Sequence, residues 1–289
     1  MTKPDDGLPE ARSEASSDAG WSETVTFAIA TMGYLPFVLN LHASLVRLGL
    51  GAELVVYSLD DEAHVALQRE GIRSIRAGNA STPHLSVWGT PSFARTMAFK
   101  YEVALTILQS GKDALYLDTD IVVLRNPFGY LRRALADSSA DLAMQVQEPD
   151  FGFNAGFWFA RARPAVVSLF DRLRQECAKG RDDQNLLNEW LPRDHSVSVL
   201  PLDAELFACG NQFLDGPLVE QGGYCIDRSL RPFPYEAAYL LHFNYLIGDE
   251  AKVWAMARHG ALFHPRLASK TKGVLVRARR WIRRVWSGR

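Results

Sequence analysis

"ALYLDTDIVVLRNPF", residues 114–128, sets two apolar runs around an Asp-Thr-Asp. The runs read as a buried strand, yet carboxylates are costly to bury without partners. On a strand, residues i and i+2 point to the same side. Asp118 and Asp120 would then present two carboxylates together where the strand emerges. In open α/β sheets, ligands bind beyond the carboxyl ends of strands. Two neighbouring carboxylates repel unless a cation lies near them. Hard divalent ions such as magnesium and manganese take oxygen ligands and often share their shell with substrate phosphates. The pattern therefore points to a metal site for a phosphorylated substrate. The other reading is a strand end with two solvated or helix-capping aspartates.

The flanking sequence supplies the frame. Upstream, "TVTFAIAT" (24–31) reads as a strand and "LPFVLNLHASLVRLGLG" as a helix ended by Gly49 or Gly51. "AELVVYSL", "EAHVALQREG" and "IRSIRA" continue as strand, helix and strand. This alternation suggests parallel βαβ units. The stretch "GNASTPHLSVWGTPS" reads as a loop before the helix "FARTMAFKYEVALTILQSG". Downstream, "DLAMQVQ" and "FNAGFWFARA" read as strands. "PAVVSLFDRLRQECAKG" has Pro164 near its first turn and Gly180 just past its end, as helices favour. "DDQNLLNEWL" is a short helix stopped by Pro192, and after "VSVLPLD" the chain reads as loop-rich.

Composition narrows the class. The 289 residues are 47% hydrophobic and 22% charged, which suits a folded α/β protein of one large domain or two small ones. The net charge is -1, but eight Lys or Arg and no acid lie between Lys270 and Arg289. The remainder is therefore acidic, which argues against a nucleic-acid-binding body and for a basic tail with its own task. Cys177, Cys209 and Cys225 form no CxxC, so a disulfide scaffold is not expected and a reducing, cytoplasmic setting is. Residues 1–22 are rich in Ser, Ala and acids, read as disordered, and lack the apolar run of a secretory signal. No segment has the roughly 20 apolar residues that span a bilayer.

Missing motifs narrow the chemistry. The first strand is followed by "ATMGYL" and not by G-x-G-x-x-G, which disfavours a dinucleotide dehydrogenase. There is no P-loop, no G-x-S-x-G elbow and no Cys/His zinc pattern.

"FARTMAFKYEVALTIL", the D-T-D, "FNAGFWFARA", "DDQNLLNEW" and "HFNYLIGDEAKVW" occur in this order. Together they resemble the retaining GT-A-fold glycosyltransferases that use nucleotide sugars. Within these the chain is similar to the nucleotide-diphospho-sugar transferase family with plant cell-wall xylosyl- and arabinosyltransferases, and to the glycogenin and lipooligosaccharide galactosyltransferase group. The resemblance covers roughly residues 24–260 and implies a mixed, mainly parallel sheet flanked by helices. It implies a GT-A domain over 23–265, and the basic stretch beyond it, 266–289, stands as a separate tail.

The resemblance also implies roles. Asp118 and Asp120 match the D-x-D, with His242 as a third metal ligand for Mn2+ or Mg2+ and Asp118 also reaching the ribose. Lys252 matches a lysine that contacts the diphosphate. The motif is longer here, and Gly248 would fill the glycine's role. Asn154, Ala155 and Gly156 match an N-A-G lining the sugar pocket, and Asp183 and Gln184 match a D-Q pair beside the anomeric carbon. Lys100 falls near the donor, and Thr31 and Tyr34 where the nucleoside binds. The implied donor is a nucleotide sugar, expected to be UDP-linked, and the acceptor a glycan or lipid-linked hydroxyl, with acceptor loops expected at 83–92 and 205–235.

Plainer readings stand beside these. Asn154 could satisfy a turn, Asp183 could cap the helix "QNLLNEW", and His242 could be a hydrogen-bonded core histidine. Lys252 and Lys100 could be surface charges, and Tyr34, Phe157, Trp158 and Phe159 core residues. A sugar-1-phosphate nucleotidylyltransferase and a catalytically silent nucleotide- or carbohydrate-binding module are the competing functions. The former needs a Gly-rich basic loop that "ATMGYL" lacks.

In the tail, Val274, Ala278, Trp281, Ile282 and Val285 share one helical face, and Arg277, Arg280, Arg283 and Arg284 the other. A basic amphipathic helix with Trp reads as an anchor to an anionic membrane surface through 274–286. The alternative is a helix packed on the domain.

Overall fold

A computed structural model describes residues 23–77, 90–148, 152–213, 236–246, 249–265 and 267. The 1–22 segment, most of the 78–92 loop, Cys225, Gly248 and the 274–286 helix lie outside the described residues, as do the expected acceptor loops apart from their ends.

The βαβ alternation is present. Strand β1 (Thr24–Ala30), helix α1 (Leu35–Val46), β2 (Leu54–Ser58), α2 (Asp61–Arg69) and β3 (Ser74–Arg76) follow one another. Then come α3 (Pro91–Gln109), β4 (Asp113–Leu117), β5 (Ile121–Val123) and α4 (Phe128–Ser138). Strands β6 (Leu142–Glu148) and β7 (Gly152–Ala160) precede helices α5 (Pro164–Ala178) and α6 (Asp183–Trp190). Then follow β8 (Val199–Leu202), β9 (Phe207–Cys209), the single turn α7 (Gly210–Phe213), β10 (Leu240–His242) and α8 (Asp249–Arg258). Helix α3 starts two residues before the expected Phe93, because Thr90 caps it through the Phe93 amide and Pro91 fits its first position.

Seven strands form one sheet in the order β3-β2-β1-β4-β7-β6-β8. All neighbours are parallel except β7, which runs antiparallel to both β4 and β6. Alternation along the strands sorts the core. Phe27, Tyr116 and Trp158 pack on the face covered by α3 and α5, while Ala28, Leu115, Leu117, Phe157 and Phe159 pack on the other.

A second sheet, order β5-β10-β9, occupies the region that reads as loop-rich. Its strands are three residues each, too short for a periodicity to show. Phe37, Phe213, Phe243 and Trp254 form its own apolar cluster. The expected single strand through the D-T-D is therefore two strands in two sheets. The Asp118 carbonyl accepts from the Ile121 amide at 3.2 Å, so a tight turn redirects the chain. That turn, and not strand alternation, brings the two carboxylates together.

Candidate active site

The antiparallel β7 sets the site. Its early residues lie beside the carboxyl end of β4: Leu117 pairs with Phe157, and the Asp118 amide donates to the Gly156 carbonyl at 2.7 Å. The N-A-G therefore meets the D-T-D. The small sheet delivers the third element. Ile121 of β5 stands opposite His242 of β10, and the Phe243 amide donates to the Asp120 carbonyl at 3.1 Å.

Asp118, Asp120 and His242 each offer a ligand atom, and these atoms lie within 4.8 Å of one another. His242 Nε2 is 3.2 Å from Asp120 Oδ1 and 3.6 Å from Asp118 Oδ2. Its Nδ1 lies 2.9 Å from Gln145 Oε1, and the Gln145 amide donates to the Phe207 carbonyl at 3.0 Å. The ring is thus fixed from behind. Lys252 of α8 places Nζ 2.6 Å from Asp120 Oδ2. Burial opposes ionisation of Asp120, but Lys252 and His242 outweigh it and hold the carboxyl far below the usual carboxylate range. Burial likewise disfavours the imidazolium, yet Asp120 and Asp118 push the His242 pKa well above its ordinary value.

Gly156 leaves the space between these groups open. A Cβ there would lie 2.4 Å from both Asp118 Oδ2 and His242 Cε1, so any side chain would collide with the cluster.

A second centre lies behind the N-A-G. Asp183 is 4% exposed and ion-paired with Lys100, itself 2% exposed. The Tyr101 hydroxyl donates to Asp183 Oδ2 at 3.0 Å, and Lys100 Nζ also donates to the Ala155 carbonyl at 3.1 Å. Burial works against the Lys100 charge, but Asp183 and Asp118 leave its pKa above the ordinary lysine value. The surface reading of Lys100 is therefore corrected: packing of α3 under the sheet turns it inward. Asp183 does not cap α6. Asp182 does, accepting from the Asn185 amide at 2.9 Å, which frees Asp183 to point into the core.

Gln184 Oε1 accepts from Asn154 Nδ2 at 2.9 Å and from the Ala155 amide at 3.3 Å. Asn154 Oδ1 accepts in turn from the Gly156 amide at 2.8 Å. The D-Q and N-A-G are thus one hydrogen-bonded unit. Asn188, one turn beyond Gln184, bonds both the amide and the carbonyl of Phe153 and fastens α6 to β7.

Thr31 is buried and Tyr34 half-buried at the carboxyl end of β1, the strand next to β4, and Tyr34 packs on the small sheet's apolar cluster. Lys252 is not a free surface charge, since Asp120 holds it. Phe157, Trp158 and Phe159 are core residues. Cys177 and Cys209 are buried free thiols.

The sequence reading omits Tyr101, Tyr116, Gln145 and Asn188. Gln145 carried a signal, a polar residue inside the apolar strand "DLAMQVQ". Tyr116 carried one too, standing two residues before Asp118 and so on the same face.

The fold and the site together are a mixed α/β sheet with an acid–acid–imidazole cluster at the carboxyl end of its central strand, the arrangement expected of a sugar-transferring α/β enzyme. The chain belongs to the nucleotide-diphospho-sugar transferase family, whose model matches residues 50–256. The arabinosyltransferase XEG113 of Arabidopsis thaliana is 26% identical over 191 residues, which is 59% of this chain. The match spans only 29% of that relative's length. Among solved structures, the galactosyltransferase LgtC with donor and acceptor sugar analogues is 16% identical, with 85% of this chain and 95% of that one covered and a TM-score of 0.48. Mouse xyloside xylosyltransferase 1 is 13% identical, with 76% and 97% covered and a TM-score of 0.42.

Proposed function

We propose that this chain transfers a sugar, with retention of anomeric configuration, from a nucleotide diphosphate donor, expected to be UDP-linked, to a hydroxyl of a glycan or lipid-linked acceptor. One observation carries the reading: Asp118, Asp120 and His242 converge within 4.8 Å beside the N-A-G and D-Q unit. Two carboxylates and one imidazole suit a hard divalent ion, Mn2+ or Mg2+, and Gly156 keeps room for it. Such an ion, held by these three residues, would act as a Lewis acid toward the charge that builds on the leaving diphosphate.

The chain's own groups would do the rest. Lys252 is ion-paired with the cluster through Asp120, and on a short shift it would contact the diphosphate. Thr31 and Tyr34, at the same sheet edge, would hold the nucleoside. Gly248 would fill the glycine's role of the motif toward the diphosphate. Asn154 and Gln184 would hold sugar hydroxyls, and the Asp183 charge would favour the oxocarbenium-like sugar. The acceptor oxygen attacks the anomeric carbon as the bond to the phosphate breaks, and the acceptor proton passes to the departing phosphate oxygen. Asp183 supports this front-face route over a covalent intermediate, because its Oδ2 already serves Lys100 and Tyr101 and the residue is buried.

The transferase domain would span residues 23–265. Through 274–286 the tail would attach the protein to the anionic cytoplasmic face of a membrane, near a lipid-linked acceptor. Among the described residues no helix is long and apolar enough to cross one.

The test is transfer from a panel of UDP-sugars with Mn2+, in the wild type and in Asp120→Ala and His242→Ala. We expect at least a roughly hundredfold loss of turnover in both variants with the fold retained. Unchanged turnover at saturating Mn2+ in either would overturn the assignment.

A further inference from the structure

Asp118 divides its two oxygens between different tasks. Its Oδ2 faces His242 at 3.6 Å, while its Oδ1 accepts a 2.6 Å hydrogen bond from the Tyr116 hydroxyl. The carboxylate is also the most exposed of the three, with 34% of its side chain accessible, so little packing fixes it. The phenol, in contrast, is rigid. Tyr116 is 1% exposed, stacked on Trp158 at 5.3 Å and 25°, and tilted against Phe27 at 5.1 Å. Lys100 Nζ lies 4.9 Å from the centre of its ring. A buried aromatic ring packed between a Trp, a Phe and a buried ammonium is held in place, and its hydroxyl oxygen is held with it beside Asp118.

We propose that Tyr116 is a positioning residue for Asp118: it holds Oδ1 so that Oδ2 is presented to the site shared with Asp120 and His242. The inference rests on the cation reading given above. A carboxylate with one oxygen held by a fixed donor loses less rotational freedom when the other oxygen takes a metal. Tyr116 lies on β4 and Asp118 follows directly after its last residue, so one short stretch of chain delivers both, joined by the hydroxyl–carboxylate bond. Tyr116 also spans the two centres, with its hydroxyl on Asp118 and its ring beneath the ammonium that pairs with Asp183.

The test is Tyr116→Phe, which keeps the ring, the stack on Trp158 and the contact with Lys100. Mn2+ affinity is read from the free-ion paramagnetic resonance signal at fixed UDP. We expect about tenfold weaker Mn2+ binding, the low end of what loss of a ligand's hydrogen-bond partner produces. Tyr101→Phe removes the other buried phenol, the one on Asp183, and should leave Mn2+ affinity within about twofold. In an Asp118→Asn background, Tyr116→Phe should add no further loss, because its effect runs through the Asp118 carboxylate.

Were Tyr116→Phe less stable, the Mn2+-induced rise in its melting midpoint would report the same affinity at the temperature where it folds. Equal Mn2+ affinity in wild type and Tyr116→Phe overturns the inference alone. So does an equal loss in Tyr101→Phe, which would mark general loosening of the core. A wild type that binds no Mn2+ overturns the cation reading, and this inference with it.

Discussion

Two buried aspartates in this molecule each have a lysine partner, and the two pairs are built differently. Asp183 and Lys100 are sealed: the lysine side chain is 2% exposed, it also donates to the Ala155 carbonyl, and Tyr101 adds a second donor. Asp120 and Lys252 form an open pair. The lysine side chain is 20% exposed, and His242 lies 3.2 Å from the same carboxylate. The sealed pair cannot exchange its partner without disturbing the core. The open pair can, because Lys252 has solvent on one side and Asp120 keeps His242 when Lys252 leaves. One sequence thus holds an ion pair sealed in the core and another that the proposed cation or diphosphate would be able to displace.

The largest expected effect is on stability. Lys100→Met leaves Asp183 buried with only a phenol for company, and breaking a buried pair costs about 3–5 kcal/mol. That would lower the melting midpoint by on the order of 10 °C. Lys252→Met should cost only about 1 kcal/mol, as expected for a partly exposed pair. Equal melting shifts in thermal unfolding of the two variants would erase the distinction.

Next comes access. Burial, followed by the Asp183 charge, pushes the Cys177 thiol up to about 12, against a smaller opposing effect of Lys100. The thiol is therefore protonated at every pH below that value. Alkylation of native protein at Cys177, followed by peptide mass mapping, should be at least about a hundredfold slower than in denaturant at pH 8. Its rate should still be climbing at pH 10, where an ordinary thiol has levelled off. A plateau near pH 9 would mean that the centre around Asp183 is not sealed.

The smallest effect is the most informative about exchange. Lys252 and a divalent cation draw on the same Asp120 carboxylate. Lys252→Met should bind Mn2+ about three- to tenfold more tightly without nucleotide, and UDP more weakly with it. Weaker Mn2+ binding without nucleotide, measured by calorimetry, would show that the lysine supports the cluster and does not compete for it.

The sequence made the sheet readable as far as the D-T-D, because Thr24–Thr31, "AELVVYSL" and the helices between them keep clear periods. Motif order singled out Asp118, Asp120 and His242, which the fold brings together. Reading weakened where geometry depends on a turn or on distant packing. Nothing local shows that Ile121–Val123 leaves the main sheet to pair with Leu240–His242, more than a hundred residues away. The burial of Lys100 was equally hidden, since a lysine on an amphipathic helix ordinarily snorkels outward, and the helix α5 that packs on α3 and the Asp183 that pairs with Lys100 both come from later sequence. The choice of Asp182 over Asp183 as the α6 cap rests on one residue of register, below what a pattern resolves.

One feature of the open pair bears on how the protein would be handled, in a cell or in a tube. His242 and Lys252 supply the counter-charge of Asp120 from within the chain itself. On the proposed cation reading, folding would need no metal supply, and synthesis and cation loading would be separable events. A chelator should silence such an enzyme without unfolding it, and returning the ion should restore it within the mixing time. Fluctuating manganese would act on it as a dimmer, leaving the amount of folded protein untouched.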